Sequence, residues 1–168
     1  MRSLLSELCS LLLQQKNLLE QMLELASEKR RIIINGEADL LEDIVRKELK
    51  ELTKLNNVEK KRVALHPRLS EEFDVPEEEI TITEIAKCAD PNERETIIEL
   101  QTQLTALLSR HRELNNENQE LIRSHFEYTE TMIDLMVDSE DPLNHFYGLD
   151  GKTAPERKKA TGFFDGSA

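Results

Sequence analysis

The sequence predicts an all-α protein: an antiparallel up-down-up bundle of three long helices with coiled-coil character, a short connecting helix and an extended C-terminal tail. Three observations carry that prediction. Leu, Glu, Lys, Gln and Arg dominate, while aromatics number five Phe, two Tyr and no Trp, the usage of long helices. Apolar residues recur every seven positions in two long stretches, the spacing that keeps one seam of a helix turned toward a partner. The β-branched and aromatic runs that build sheets are almost absent.

The first helix is expected over residues 3–34. Leu4, Leu11, Leu18, Leu25 and Ile32 repeat with a period of seven, flanked by Leu5, Leu12, Leu19, Ala26 and Ile33, with Leu8 and Met22 between. This apolar face is wider than a two-stranded seam, so the helix needs at least two neighbours. Asn35-Gly36 supplies the stop, since both residues tolerate the left-handed conformation.

A second helix is expected over residues 38–65, turned back on the first by the short link. Its narrower stripe comprises Leu41, Ile44, Val45, Leu49, Leu52, Leu55 and Val63, and Pro67 should end it. Residues 68–90 are mostly connector. Glu71-Glu72-Phe73 is short enough for one turn, broken by Val75-Pro76. Thr81 and Glu84 have capping-box spacing, which starts a short helix over residues 82–88.

The third helix should span residues 91–138, capped by Asp90 with Pro91 at its first position and Glu93 completing the pattern. Leu100, Leu107, Leu114, Leu121, Tyr128 and Leu135 repeat strictly, beside Ile97, Leu104, His111, Asn118, His125 and Met132. At ~1.5 Å per residue the first helix is roughly 48 Å long and the third roughly 70 Å. The other helices therefore leave part of the third uncovered unless the short helix fills in. An exposed stripe of Tyr128, Met132, Leu135 and Met136 would make an adaptable protein-binding surface. His111, Asn118 and His125 at seam positions read as polar layers that fix register, or as a groove left polar for a partner helix.

Residues 1–140 thus form the helical bundle and residues 141–168 a flexible tail, which Gly, Pro, Ser and Thr deprive of any period. Four of the seven aromatics nevertheless fall there: Phe146, Tyr147, Phe163 and Phe164. Ordering such a segment costs ~2–5 kcal/mol, and each large apolar side chain buried returns ~1.5–3 kcal/mol. Two or three anchors suffice, and Leu143, Phe146 and Tyr147 are the candidates.

The formal net charge is −12, which argues against a nucleic-acid partner. Residues 71–95 carry ten acids against Lys87 and Arg94; they read as a solvated connector in preference to a docking patch. Cys9 and Cys88 lack paired spacing and fit reduced thiols of a cytoplasmic protein. Glu7, Gln14, Gln15 and Lys16 interrupt the apolar start, so no signal peptide is expected, and no stretch is apolar enough for stable membrane insertion.

No catalytic, metal or cofactor site is expected. Phosphate-binding glycine loops, GxSxG and HExxH are missing. His111 and His125 lie roughly 21 Å apart along a helix. Leu108 and Ile122 stand where a di-iron bundle needs Glu.

Two segments resemble the FlgN family of flagellar export chaperones. In the third helix, Leu114-Asn115, Asn118 and Leu121-Ile122 are similar to the family's Asn-x-x-Asn-x-x-Leu-Ile pattern, without the Gly that often follows the second Asn. In the tail, Tyr147-Gly148-Leu149-Asp150-Gly151 resembles its Tyr-Gly-x-x-Gly signature. The resemblance implies a chaperone that binds terminal helical segments of hook-associated proteins, prevents premature assembly and delivers them to the flagellar export gate. On that basis Tyr128, Met132, Leu135 and Met136 would form the client groove, with Leu143, Phe146 and Tyr147 as tail anchors. Tyr147 could instead meet the export machinery. The alternative is a structural coiled coil that self-associates as a homodimer.

Overall fold

The computed structural model describes residues 4–139, with side chains to residue 137. Every regular element among them is helical: α1 (Leu4–Asn35), α2 (Ala38–Val63), α3 (His66–Phe73), a 3-10 turn (Glu77–Glu79), α4 (Ile82–Cys88) and α5 (Pro91–Ser139).

In α1 the buried seam is Leu5, Leu8, Leu12, Leu19, Met22, Ala26 and Ile33, with Gln15 buried in register, while Leu11 and Ile32, also buried, widen it. Leu18 and Leu25, predicted on that seam, are only half-buried at its edge. The helix ends as Asn35-Gly36 demanded. Gly36 has φ 68, and the N–H groups of Gly36 and Glu37 donate to the carbonyls of Ile33 and Ile32, both at 3.1 Å. These bonds satisfy carbonyls that the helix leaves over.

α2 runs back along α1. Gln15 donates to Glu59 at 2.6 Å and Lys29 to Glu48 at 2.7 Å, so later residues of α1 meet earlier residues of α2. The predicted end of α2 needs correction. The helix stops at Val63, and Pro67 lies in the first turn of a new helix, α3, instead of closing the old one. A proline costs little there because that N–H has no intrahelical partner. α3 is also longer than the predicted single turn. It ends at Asp74, left-handed at φ 52, where the Ser70 hydroxyl donates to the Val75 carbonyl at 2.7 Å.

The remaining caps follow the sequence. Thr81 Oγ1 accepts from the Glu84 N–H at 3.1 Å, and Asp90 Oδ1 accepts from Asn92 and Glu93 at 2.9 and 3.0 Å.

One apolar cluster joins Leu5, Leu8, Leu11, Leu12 and Leu19 of α1 and Val58 of α2 to Ile97, Leu100 and Leu104 of α5. The segment expected to be connector contributes Leu65, Leu69, Ile80, Ile85 and Ala86 to the same cluster, with Phe73 and Val75 packed against it. Its acids stay at the surface while its apolar residues close the end of the core, as α4 was expected to do in part. Further along, Asn118 of α5 donates to the Ala26 carbonyl at 2.9 Å, and Arg30 pairs with Glu117. Residues up to Phe126 belong to this compact unit; Glu127 begins a second.

Candidate functional site

The walls of the site come from α2 and α5, and its floor from α1. Along α2 the sequence predicted a buried stripe, but only Ile44 and Val58 are buried. Val45, Leu49, Leu52 and Val63 are exposed, Leu49 at 58%, and Leu41 and Leu55 half-buried. The reason is geometric: α1 covers one edge of the stripe, and among the described residues no helix covers the other. Leu108 of α5, outside the predicted heptad, is likewise 51% exposed.

Val45, Leu49, Leu52, Leu55 and Leu108 line two neighbouring cavities that share Leu52. The first, about 440 Å³, is lined by Leu12, Gln15 and Leu19 below, Leu52, Leu55, Asn56, Glu59 and Arg62 on α2, and Gln101, Leu104, Thr105 and Leu108 on α5, with Ile82 at its end. The second, about 310 Å³, is lined by Met22, Val45, Glu48, Leu49, Leu52, His111 and Asn115. Their shape is that of a helical bundle with a neighbour left out.

Polar groups punctuate the groove. Glu59 accepts from the Arg62 guanidinium at 2.7 and 2.8 Å, and that bond, with help from Gln15, holds its carboxyl below the ordinary range. Glu48 takes Lys29 on one oxygen, while its Oε1 is buried with no hydrogen-bond partner. Lys29 also reaches Asn115 Oδ1 at 3.4 Å. His111 lies within 3.3 Å of the Asn115 amide. Burial lowers the His111 pKa, with Glu48 opposing the shift and Lys29 adding to it.

The predicted site residues fall in three places. Tyr128, Leu135 and Met136 are exposed, at 67%, 60% and 61%, and Met132 is half-buried. Phe126, Ile133 and Val137 add exposed apolar area to the same turns. Of the motif residues on α5, Leu114 and Asn118 are buried, Asn115 and Leu121 are half-buried, and Ile122 is exposed. Asn115 borders the groove, whereas Asn118 binds α1 and serves packing. Leu143, Phe146 and Tyr147 lie outside the described residues.

The α2–α5 groove went unrecognised as a site, although α1 carried its signal. An apolar face that needs at least two neighbours, set beside the narrower stripe on α2, leaves room for another helix.

Among the described residues, no helix is long and apolar enough to cross a membrane, and no group of His, Cys, Asp and Glu is placed to hold a metal ion. The chain matches no curated protein and no solved structure. The family model described as FlgN protein matches it over residues 1–155.

Proposed function

The chain belongs to the FlgN family, a family of flagellar export chaperones, and on that premise we propose that it is a cytoplasmic chaperone for hook-associated proteins. It holds a terminal helical segment of the client, prevents early assembly and presents the client to the flagellar export gate.

The observation that carries this reading is the open apolar groove between α2 and α5 over α1. An amphipathic helix laid there contributes the missing neighbour and buries Leu49, Leu52 and Leu108, in the helix-in-groove mode of recognition. Each large apolar side chain so covered is worth ~1.5–3 kcal/mol before ordering costs. The up-down-up arrangement is part of the proposal. It is supported by the antiparallel pairs Gln15–Glu59 and Lys29–Glu48, and by the shared direction of α1 and α5, where Leu12 and Leu104 line one cavity and Ala26–Asn118 lies further along both helices.

Tyr128, Met132, Leu135 and Met136 supply a second client surface in this reading, with Leu143, Phe146 and Tyr147 as tail anchors. The uncovered apolar turns support it.

Titration calorimetry with purified hook-associated proteins, flagellin and the filament cap protein tests the assignment. Binding is expected for a hook-associated protein and absent for flagellin. Equal binding of all three, or of none, rejects it. A self-associating coiled coil would instead bury the groove in a dimer, which light scattering at the same concentrations detects.

A further inference from the structure

The apolar turns near the end of α5 lie beside a row of acids. Tyr128, Met132, Leu135 and Met136 recur at helical spacing and share one face, and Tyr128 and Leu135 are exposed to water on it. Glu127, Glu130 and Asp134 are spaced three and four apart, and Asp138 continues the spacing, so they form a row along the flank of that face. Among the described residues, Glu127, Glu130 and Asp134 pair with no cation. Like charges at such spacings repel. The last turn of α5 holds no basic residue either, although the helix dipole adds negative charge at that end. What covers this face must therefore bring both apolar side chains and cations.

We propose that the occupant is the chain's own C-terminal segment, Lys152 to Phe164, folded back along α5. Residues 124–151 contain no Lys or Arg. Lys152, Arg157, Lys158 and Lys159 follow, with Phe163 and Phe164 just beyond. Laid antiparallel to α5, this order sets the cations opposite the acidic row near the negative end of the helix. The two Phe residues then fall toward Met132 and Tyr128. The lengths agree. Glu127 to Asp138 spans about 16 Å at ~1.5 Å per residue, and Arg157 to Phe164 covers up to about 23 Å when extended. Residues 140–151, with Pro142, Gly148 and Gly151, supply the return.

Other occupants fit less well. The α5 of a second copy would bring the same acids against these acids. The tail of a second copy, or a basic segment of another protein, has suitable chemistry but must compete with a tethered segment at an effective concentration on the order of millimolar. Exposed ion pairs are individually weak and are screened by salt, so the tail is a displaceable cover. A client that uses these turns must first displace it.

The chain has no Trp, so Phe164→Trp places a single reporter in the tail of the full-length protein. At low salt its emission should be blue-shifted and its quenching by acrylamide reduced, and both should persist on dilution. Arg157→Glu/Lys158→Glu/Lys159→Glu should abolish the shielding. Glu130→Lys/Asp134→Lys, with its helix content verified by circular dichroism, should abolish it as well. Combining the two sets of reversals should restore it. A reporter fully open to quencher in the parent, shielding that dilution removes, or shielding that survives either reversal would overturn the proposal. So would failure of the combined variant to regain it. The measurement is made on the free chain without client, so its failure leaves the chaperone assignment untouched.

Discussion

The side-chain amide of Asn118 donates to the main-chain carbonyl of Ala26 at 2.9 Å. It does so from a position only 1% exposed, with its own Oδ1 unpaired. The contact ties the middle of α5 to one point on α1, between the apolar layers of Leu114 and Leu121. A polar residue at a seam position fixes register at a cost in stability, and the unpaired oxygen is where that cost falls.

Asn118→Leu is therefore expected to leave unfolding free energy within ~1 kcal/mol of wild type or to raise it, because an apolar group of similar size removes the unsatisfied acceptor. Asn118→Asp places a carboxylate against the Ala26 carbonyl and should cost roughly 3 kcal/mol or more. Urea denaturation of the two variants measures both effects. Equal destabilisation by Leu and Asp would mean that the amide bond, not its burial cost, dominates.

The segment between the long helices is part of the core. Leu69 is fully buried among Leu65, Ile80, Ile85 and the α1–α5 leucines, so Leu69→Ala should cost about 2–5 kcal/mol. Leu49→Ala, on the exposed groove wall, should change stability by less than ~0.5 kcal/mol. Thermal or urea unfolding that ranks these two the other way would contradict the assigned core.

His111 sets a pH dependence. Its folded pKa lies below the ordinary 6.5, chiefly because burial disfavours the imidazolium. The unfolded chain then binds more protons as pH falls through 6.5 toward the lower folded value, so this group reduces stability across that window and has no such effect above it. His111→Gln should flatten the stability profile there relative to wild type, as paired melts across the window would record. Glu59 acts lower on the scale. Its carboxyl is held below the ordinary 4.5 by Arg62, so the stability it adds is present above 4.5 and is lost as pH falls through the folded value.

Local rules made most of the helices legible. Asn35-Gly36, Thr81 with Glu84, and Asp90 with Pro91 and Glu93 each carry a cap whose bonds depend only on near neighbours, and all three formed where expected. Pro67 misled because proline is compatible with both the end of one helix and the first turn of the next. Choosing between them depends on whether Leu69 has a core to enter, which is a long-range fact. The site was legible only in part for the same reason. Periodicity marks the apolar face of α2, but whether Leu49 and Leu52 face α5 or a vacant groove depends on the spacing of helices far apart in sequence. The uncovered turns around Tyr128 and Leu135 were legible because helix length alone left them over.

The central claim is that the α2–α5 groove seats the client, and Leu52→Asp/Leu108→Asp tests it most directly. Both side chains are exposed on facing walls, so the double variant should unfold within ~1 kcal/mol of wild type. Calorimetry with a purified hook-associated protein should show affinity reduced at least about tenfold, since two carboxylates would be buried against an apolar helix. A folded double variant that binds this client as tightly as wild type does would contradict the account and place the seat elsewhere on the chain.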